Sequence, residues 1–187
     1  MMKSTATPHS HITAADYLEG EQYSQVRHEY IDGAIYAMGG ASDKHGLIAG
    51  NVFAKLNSAL PDSCQAFISD MKVHIQIGAQ EIFYYPDIVV SCAQDDRETY
   101  YREKPILIVE VLSSSTERLD RYEKFSNYIE LISLQEYVLI EQRFRLIELC
   151  RRSNRWDREI VTQGMFRLES VNLDLSVDEI YRRVSWG

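Results

Sequence analysis

Long apolar runs are missing from this chain, and no stretch approaches the length of a membrane span. The first residues, MMKSTATPHSHIT, lack the apolar centre of a signal peptide. Cysteine is scarce: Cys64, Cys92 and Cys150 are widely separated and form no Cys-x-x-Cys pair. That argues against a disulfide framework or a zinc knuckle, and it suits a reducing cytosol. Positive charge is also in short supply. Twenty Lys and Arg against 28 Asp and Glu leave a net charge of −8, which excludes indiscriminate electrostatic attachment to nucleic acid. Any phosphate contact must come from a local basic patch. Nucleophile elbows, Walker loops, G-x-G-x-x-G turns and H-E-x-x-H helices are absent as well. The chain has no internal repeat, low-complexity tract or linker. These absences lead to the expectation of a cytoplasmic protein with no membrane association.

What is present is a full complement of core formers. With 187 residues, 45% of them hydrophobic, the simplest organisation is one domain over 13–187 after a flexible tail, 1–12. His9 and His11 in that tail read as a surface pair. Thr13 is placed to cap a short helix from Ala14 to Leu18. Arg27 to Met38 reads as a hairpin around Asp32-Gly33, a favoured two-residue turn. Leu47, Ile48, Phe53, Leu56 and Leu60 predict an amphipathic helix from His45 to Leu60, stopped by Pro61-Asp62. Strand formers fill Cys64 to Ile77, with a turn at Ser69-Asp70, and Phe83 to Ser91 reads as one strand with Pro86 near its start. Gln94 to Lys104 is a charged loop.

The organising stretch is Pro105 to Leu131. Ile106 to Val109 is apolar, Glu110 interrupts it, and Val111-Leu112 closes it, as in a buried strand. Ser114 and Glu117 have capping-box spacing, so a helix is expected to follow. Leu119, Tyr122, Phe125, Ile129 and Ile132 give it an apolar face, and Asp120, Lys124 and Tyr128 step by four along another. Glu136 to Ile140 is a further strand. Phe144 to Cys150 pairs with Trp156 to Thr162 across Ser153-Asn154, and Ser176 caps a last helix, Val177 to Arg182. Six arginines between Arg143 and Arg158 make the best candidate for a phosphate-facing surface, with a solvated strand face as the plainer reading. The order predicts an α/β or mixed α+β fold.

A carboxylate inside an apolar strand is costly unless a partner or a metal compensates it. Glu110 follows Asp87 by 23 residues, and acids on adjacent strands can converge on one hard cation. Mg²⁺ takes one or two carboxylates and keeps several waters. A salt bridge from Glu110 to Lys124 or an arginine is the plainer alternative.

Pro86-Asp87, a spacer, and Glu110 in an apolar strand resemble the PD-(D/E)XK nuclease superfamily. Its lysine usually lies two positions after the acid, which here is Leu112; Lys124 on the following helix matches branches that have moved it. The ordered set Arg27-x-Glu29, Asp32-Gly33, Met38, His45, Tyr85-Pro86-Asp87, Glu110 to Ser113, Ser115-Thr116, Asp120, Lys124, Tyr128 and Glu136-Tyr137 is similar to one such branch. That branch is the Uma2 family of restriction-endonuclease-like proteins, and the resemblance spans roughly residues 13 to 180.

The resemblance implies a central mixed sheet flanked by helices, with extra β-hairpins. It makes Asp87 and Glu110 metal ligands for Mg²⁺ or Mn²⁺, and Asp87, Glu110 and Lys124 the catalytic set. Glu29 becomes an accessory acid, or else the partner of an arginine such as Arg27. Asp120 orients Lys124 or only stabilises its helix. Tyr128 reads as packing, His45 as structural, and His28 and His74 have no role. The implied activity is Mg²⁺-dependent endonucleolytic hydrolysis of nucleic acid, most simply DNA. The alternative is an inactive nuclease-like fold that binds nucleic acid or protein. A homodimer is compatible, because cutting two strands calls for two sites.

Overall fold

The structure, a computed structural model, describes residues 11–114 and 116–186. Most of the expected tail therefore lies outside the described residues. Ile12 is held against the first hairpin: its N–H donates to Gly33 O at 3.2 Å, and its carbonyl accepts from the Tyr30 hydroxyl at 2.9 Å. Thr13 caps α1 (Ala14–Glu21), its hydroxyl accepting from Asp16 N, and the helix runs three residues past Leu18. Strands β1 (His28–Ile31) and β2 (Ala34–Ala37) form the expected hairpin. Its turn places both Asp32 (φ 43°) and Gly33 (φ 94°) in the left-handed region, as the twist of a two-residue hairpin demands. Helix α2 (Asp43–Ala59) starts slightly ahead of His45, because the Ser42 hydroxyl caps it by accepting from His45 N. Ile48, Ala49, Val52 and Leu56 form its buried stripe.

Strands β3 (Gln65–Ile68), β4 (Lys72–Ile77), β5 (Gln80–Tyr84), β6 (Ile88–Ser91), the short β7 (Tyr101–Arg102) and β8 (Pro105–Leu112) follow. After the helical segment come β9 (Glu136–Glu141), β10 (Ile147–Arg151), β11 (Arg158–Val161), β12 (Met165–Leu168), β13 (Leu173–Ser176) and α4 (Val177–Ile180). One sheet has five strands in the order β2-β1-β5-β4-β7, and another has six in the order β11-β10-β9-β8-β6-β3. The central pair β8–β9 is parallel, while their other neighbours run antiparallel, so the sheet is mixed. Period-two alternation sends Leu107, Val109 and Val111 into a core with α2, α4 and the β12–β13 hairpin. Ile108 and Leu112 face the other way, into a core with Val73, Tyr84, Tyr128, Tyr137 and Leu139. Each such side chain, fully buried, contributes about 1.5–3 kcal/mol.

Four expectations need correction. The expected strand from Phe83 to Ser91 is two strands in different sheets. Pro86 has no N–H to donate to a ladder, and at Tyr85-Pro86-Asp87 the chain crosses from the five-stranded to the six-stranded sheet. The helix after β8 is capped by Ser113, whose hydroxyl accepts from Thr116 N, in place of Ser114. It is π-helical over Leu119–Lys124 before α3 (Phe125–Tyr128). The wider turns shift its phase: Tyr122 and Ile132 are exposed, whereas Asp120, Lys124 and Tyr128 are buried. The β12–β13 hairpin was not anticipated. Finally, Cys64 and Cys92 form a disulfide. The antiparallel register pairs Gln65 with Ser91, which sets the residues just beyond them side by side although 28 positions separate them. Cysteine usage therefore no longer argues for a reducing compartment. Cys150 is free and buried, and burial pushes its thiol up to about 11. Among the described residues no helix is long and apolar enough to cross a membrane.

Candidate active site

The sheet crossing at Pro86 delivers Asp87 to the edge of β6, beside β8. The two strands are tied reciprocally: Asp87 N donates to Glu110 Oε2 at 3.2 Å, and Val111 N donates to Asp87 Oδ2 at 2.7 Å. Glu110 shares the face of Ile108 and Leu112 and is only 3% exposed. Against that face lies the π-helical segment. Its Lys124 Nζ stands 2.8 Å from Glu29 Oε1, 3.3 Å from Glu110 Oε1 and 3.4 Å from Asp120 Oδ1. Glu29 comes from β1 of the five-stranded sheet and Glu110 from the six-stranded one, so one ammonium joins both sheets. All five sequence-derived site residues, Asp87, Glu110, Lys124, Glu29 and Asp120, thus meet in one place.

The plainer readings can be weighed against these positions. Glu29 is buried and bonded to Lys124 and Tyr85 N, while Arg27 turns instead to Asp70 and to Ser69 O. Asp120 is buried within reach of Lys124, although its Oδ1 accepts no hydrogen bond. Tyr128 is wholly buried, yet its hydroxyl lies 3.4 Å from Glu110 Oε1. His45, assigned a structural role from sequence, places Nε2 at 2.8 Å from Asp87 Oδ1. That contact spans 42 residues, and no local pattern announces it; a histidine in the first turn of a helix was the available hint. His28 pairs with Glu21, and His74 with Glu103 and Glu81, away from the site. Most of the arginine-rich segment is paired with acids: Arg143 to Glu141 and Glu117 at the cleft's border, Arg145 to Asp178, Arg151 to Glu136 and Glu159, Arg158 to Glu148. Arg152 donates to the carbonyls of Ile129, Leu131 and Leu134.

Acids crowd the single ammonium at the base of the cleft. Glu29, Asp87, Glu110 and Asp120 face one ammonium and one imidazole. Burial, opposed by Lys124 and reinforced by the neighbouring acids, raises Glu110 well above the ordinary glutamate range. Burial also works against the Lys124 ammonium, but Glu110, Glu29 and Asp120 together outweigh it and hold the lysine protonated. Lys124 is therefore a fixed positive charge rather than a proton acceptor. Its Nζ also lies 5.4 Å from the centre of the Tyr84 ring. Burial and then Glu110 raise the hydroxyls of Tyr128 and Tyr137, so both remain donors.

The donor set can be tested against a cation. Among the described residues no cluster of three or more His, Cys, Asp or Glu has the arrangement of a metal-binding site, which rules out a closed structural site of the zinc type within them. A hard ion that takes two carboxylates and keeps its waters is a different demand. Asp87 and Glu110 fit it in kind: they are oxygen donors on adjoining strands, linked through Asp87 N. Above them opens a cleft of about 980 Å³ bordered by β2, the first turn of α2 and the segment after β8.

Comparisons with known proteins agree with this architecture. The Uma2 family profile, described as "Putative restriction endonuclease", matches residues 14–178. Two Synechocystis sp. proteins are similar: the uncharacterised protein slr1290 is 36% identical, covering 98% of both chains, and sll1609 is 35% identical over 70% of this chain and 75% of its own. The crystal structure of "a putative nuclease belonging to DUF820" from Anabaena variabilis superposes with a TM-score of 0.69 at 19% identity, covering 84% of this chain and 91% of that one. The fold is restriction-endonuclease-like, and the chain belongs to the Uma2 family.

Proposed function

We propose that this protein is a Mg²⁺-dependent endonuclease that hydrolyses phosphodiester bonds in nucleic acid, DNA in the first instance, with Mn²⁺ able to substitute. The observation that carries the reading is the meeting of Asp87, Glu110 and Lys124 at the base of an open cleft. Asp87 and Glu110 would hold the ion. When bound, it supplies Lewis-acid stabilisation of phosphate charge and a water of lowered pKa. Lys124, kept protonated by three acids, presents a positive charge that orients the attacking water or neutralises developing charge on phosphorus oxygens. Glu29 and Asp120 hold its Nζ from two sides. His45 fixes one oxygen of Asp87 and Val111 N the other, so the carboxylate does not swing. A cytoplasmic location, where nucleic acid is at hand, belongs to the same reading.

Titration with Mn²⁺ or Mg²⁺ tests it directly. Binding to the folded state should raise thermal stability by about 2.7 kcal/mol at a hundred times Kd, and Glu110→Gln or Asp87→Asn should erase that gain. Purified Glu110→Gln and Lys124→Ala should have lost cleavage while keeping native circular dichroism. Cleavage that survives either change sinks the mechanism.

One observation favours a second reading. The oxygens of Asp87 and Glu110 already accept hydrogen bonds or face Lys124, as they would in an inactive nuclease-like fold that only binds nucleic acid or protein. Such a module would show no metal-dependent shift traceable to these two acids.

A further inference from the structure

The proposed hydrolysis makes no use of Tyr36. It stands on β2 directly opposite Glu29 in the antiparallel register, and cross-strand partners share a face with Cβ atoms about 4.5–5.5 Å apart. Its ring therefore leaves the hairpin on the same side as the carboxylate that holds Lys124, one strand farther out, and it lines the cleft. Tyr36 is 54% exposed. Among the described residues its hydroxyl has no hydrogen-bonding partner and its ring no ring neighbour. An aromatic side chain left open beside a candidate phosphodiester site is a surface on which a base can stack, and stacking of this kind tolerates any base.

The cations around the cleft point the same way. Arg27 is occupied by Asp70 and Ser69 O, Arg143 by Glu141 and Glu117, and Lys124 by its three acids. Lys44 is the one lining cation with no carboxylate within ion-pair reach among the described residues. Duplex affinity comes largely from neutralising many backbone phosphates with Lys and Arg, and among the described residues this cleft offers one such cation that is not already paired. A strand with accessible bases asks for fewer charges and for aromatic faces.

We infer that the cleft takes single-stranded nucleic acid, with Tyr36 as the stacking platform for a base beside the scissile phosphate and Lys44 facing a neighbouring phosphate. The inference rests on the phosphodiester reading of the site and specifies its substrate class. In a duplex both faces of each base are covered by its neighbours, so the platform has nothing to grip until the strand is opened.

The test is fluorescence anisotropy with a labelled mixed-sequence DNA oligonucleotide, single-stranded and annealed to its complement, in EDTA so that no cleavage intervenes. The single strand should bind at least tenfold more tightly than the duplex. Tyr36→Ala should weaken single-strand binding roughly tenfold, and Tyr36→Phe, which keeps the ring, should match the unchanged protein. The logarithm of affinity should fall with the logarithm of salt with a slope near −1, in keeping with about one or two phosphate contacts. If Tyr36→Ala binds the single strand as tightly as the unchanged protein, or the duplex binds more tightly, the substrate assignment is overturned while the hydrolase reading stands. If neither form of DNA binds at all, both fall together.

Discussion

Two settings of buried charge in this molecule are built differently. At the β9–β10 end of the six-stranded sheet, Arg151 meets Glu136 and Glu159 on one face, and Arg121 and Arg158 share Glu148 on the other. Charges there nearly match, the cations are arginines, and Glu136 is further satisfied by Ser170 N and the Ser170 hydroxyl. Around Lys124, four acids share one ammonium and one imidazole, and the group opens onto a cleft. A matched group is a finished structure. An unmatched one, kept at the cost of desolvating several carboxylates, is what the proposed cation would complete.

The largest effect should come from removing the cation on each side. Arg151→Ala and Lys124→Ala should each cost about 3–5 kcal/mol, because either leaves buried acid uncompensated. Urea unfolding with and without Mn²⁺ separates them: the ion should recover much of the loss at Lys124 and none of it at Arg151. Equal recovery, or none at either, would erase the distinction. Next in size is the disulfide. Reducing Cys64–Cys92 opens a link across 28 positions and should lower stability by about 3 kcal/mol. It lies at the opposite end of β6 from Asp87, so the Mn²⁺-dependent shift should be unchanged in the reduced protein. The smallest effect sharpens the contrast most. Glu110→Gln takes one carboxylate from a set already in excess, so metal-free stability should stay within about 1 kcal/mol of the parent. A loss as large as that at Arg151 would mean that the pocket is as balanced as the other group.

Much of the site was legible in the sequence because its signals are local. An acid inside Ile106–Leu112 can only be a buried acid, and Asp32-Gly33 can only be a tight turn. The four-residue step from Asp120 to Lys124 to Tyr128 was visible too, but its burial was not. Regular α-helical phase favours Leu119, Tyr122 and Ile129 as the inner face, and π-helical turns override it; such turns often accompany functional sites. What remained hidden depended on long-range register. The Cys64–Cys92 bond follows from β3 lying antiparallel to β6, and the His45–Asp87 contact follows from α2 crossing the same strand's start. Neither leaves a trace in local spacing. Pro86 was read as the beginning of a strand when it is the break between two. The β12–β13 hairpin did show alternation at Phe166 and Leu168, but in segments too short to stand out.

Because Lys124 Nζ clasps an acid from each sheet, one atom serves as rivet and, on the proposed mechanism, as reagent. Losing Asp87 would forfeit its hydrogen bonds with Val111 N and His45 beside one sheet, whereas discarding the lysine would loosen the joint between both. The amine should therefore be worth keeping for the joint alone, whatever chemistry it serves.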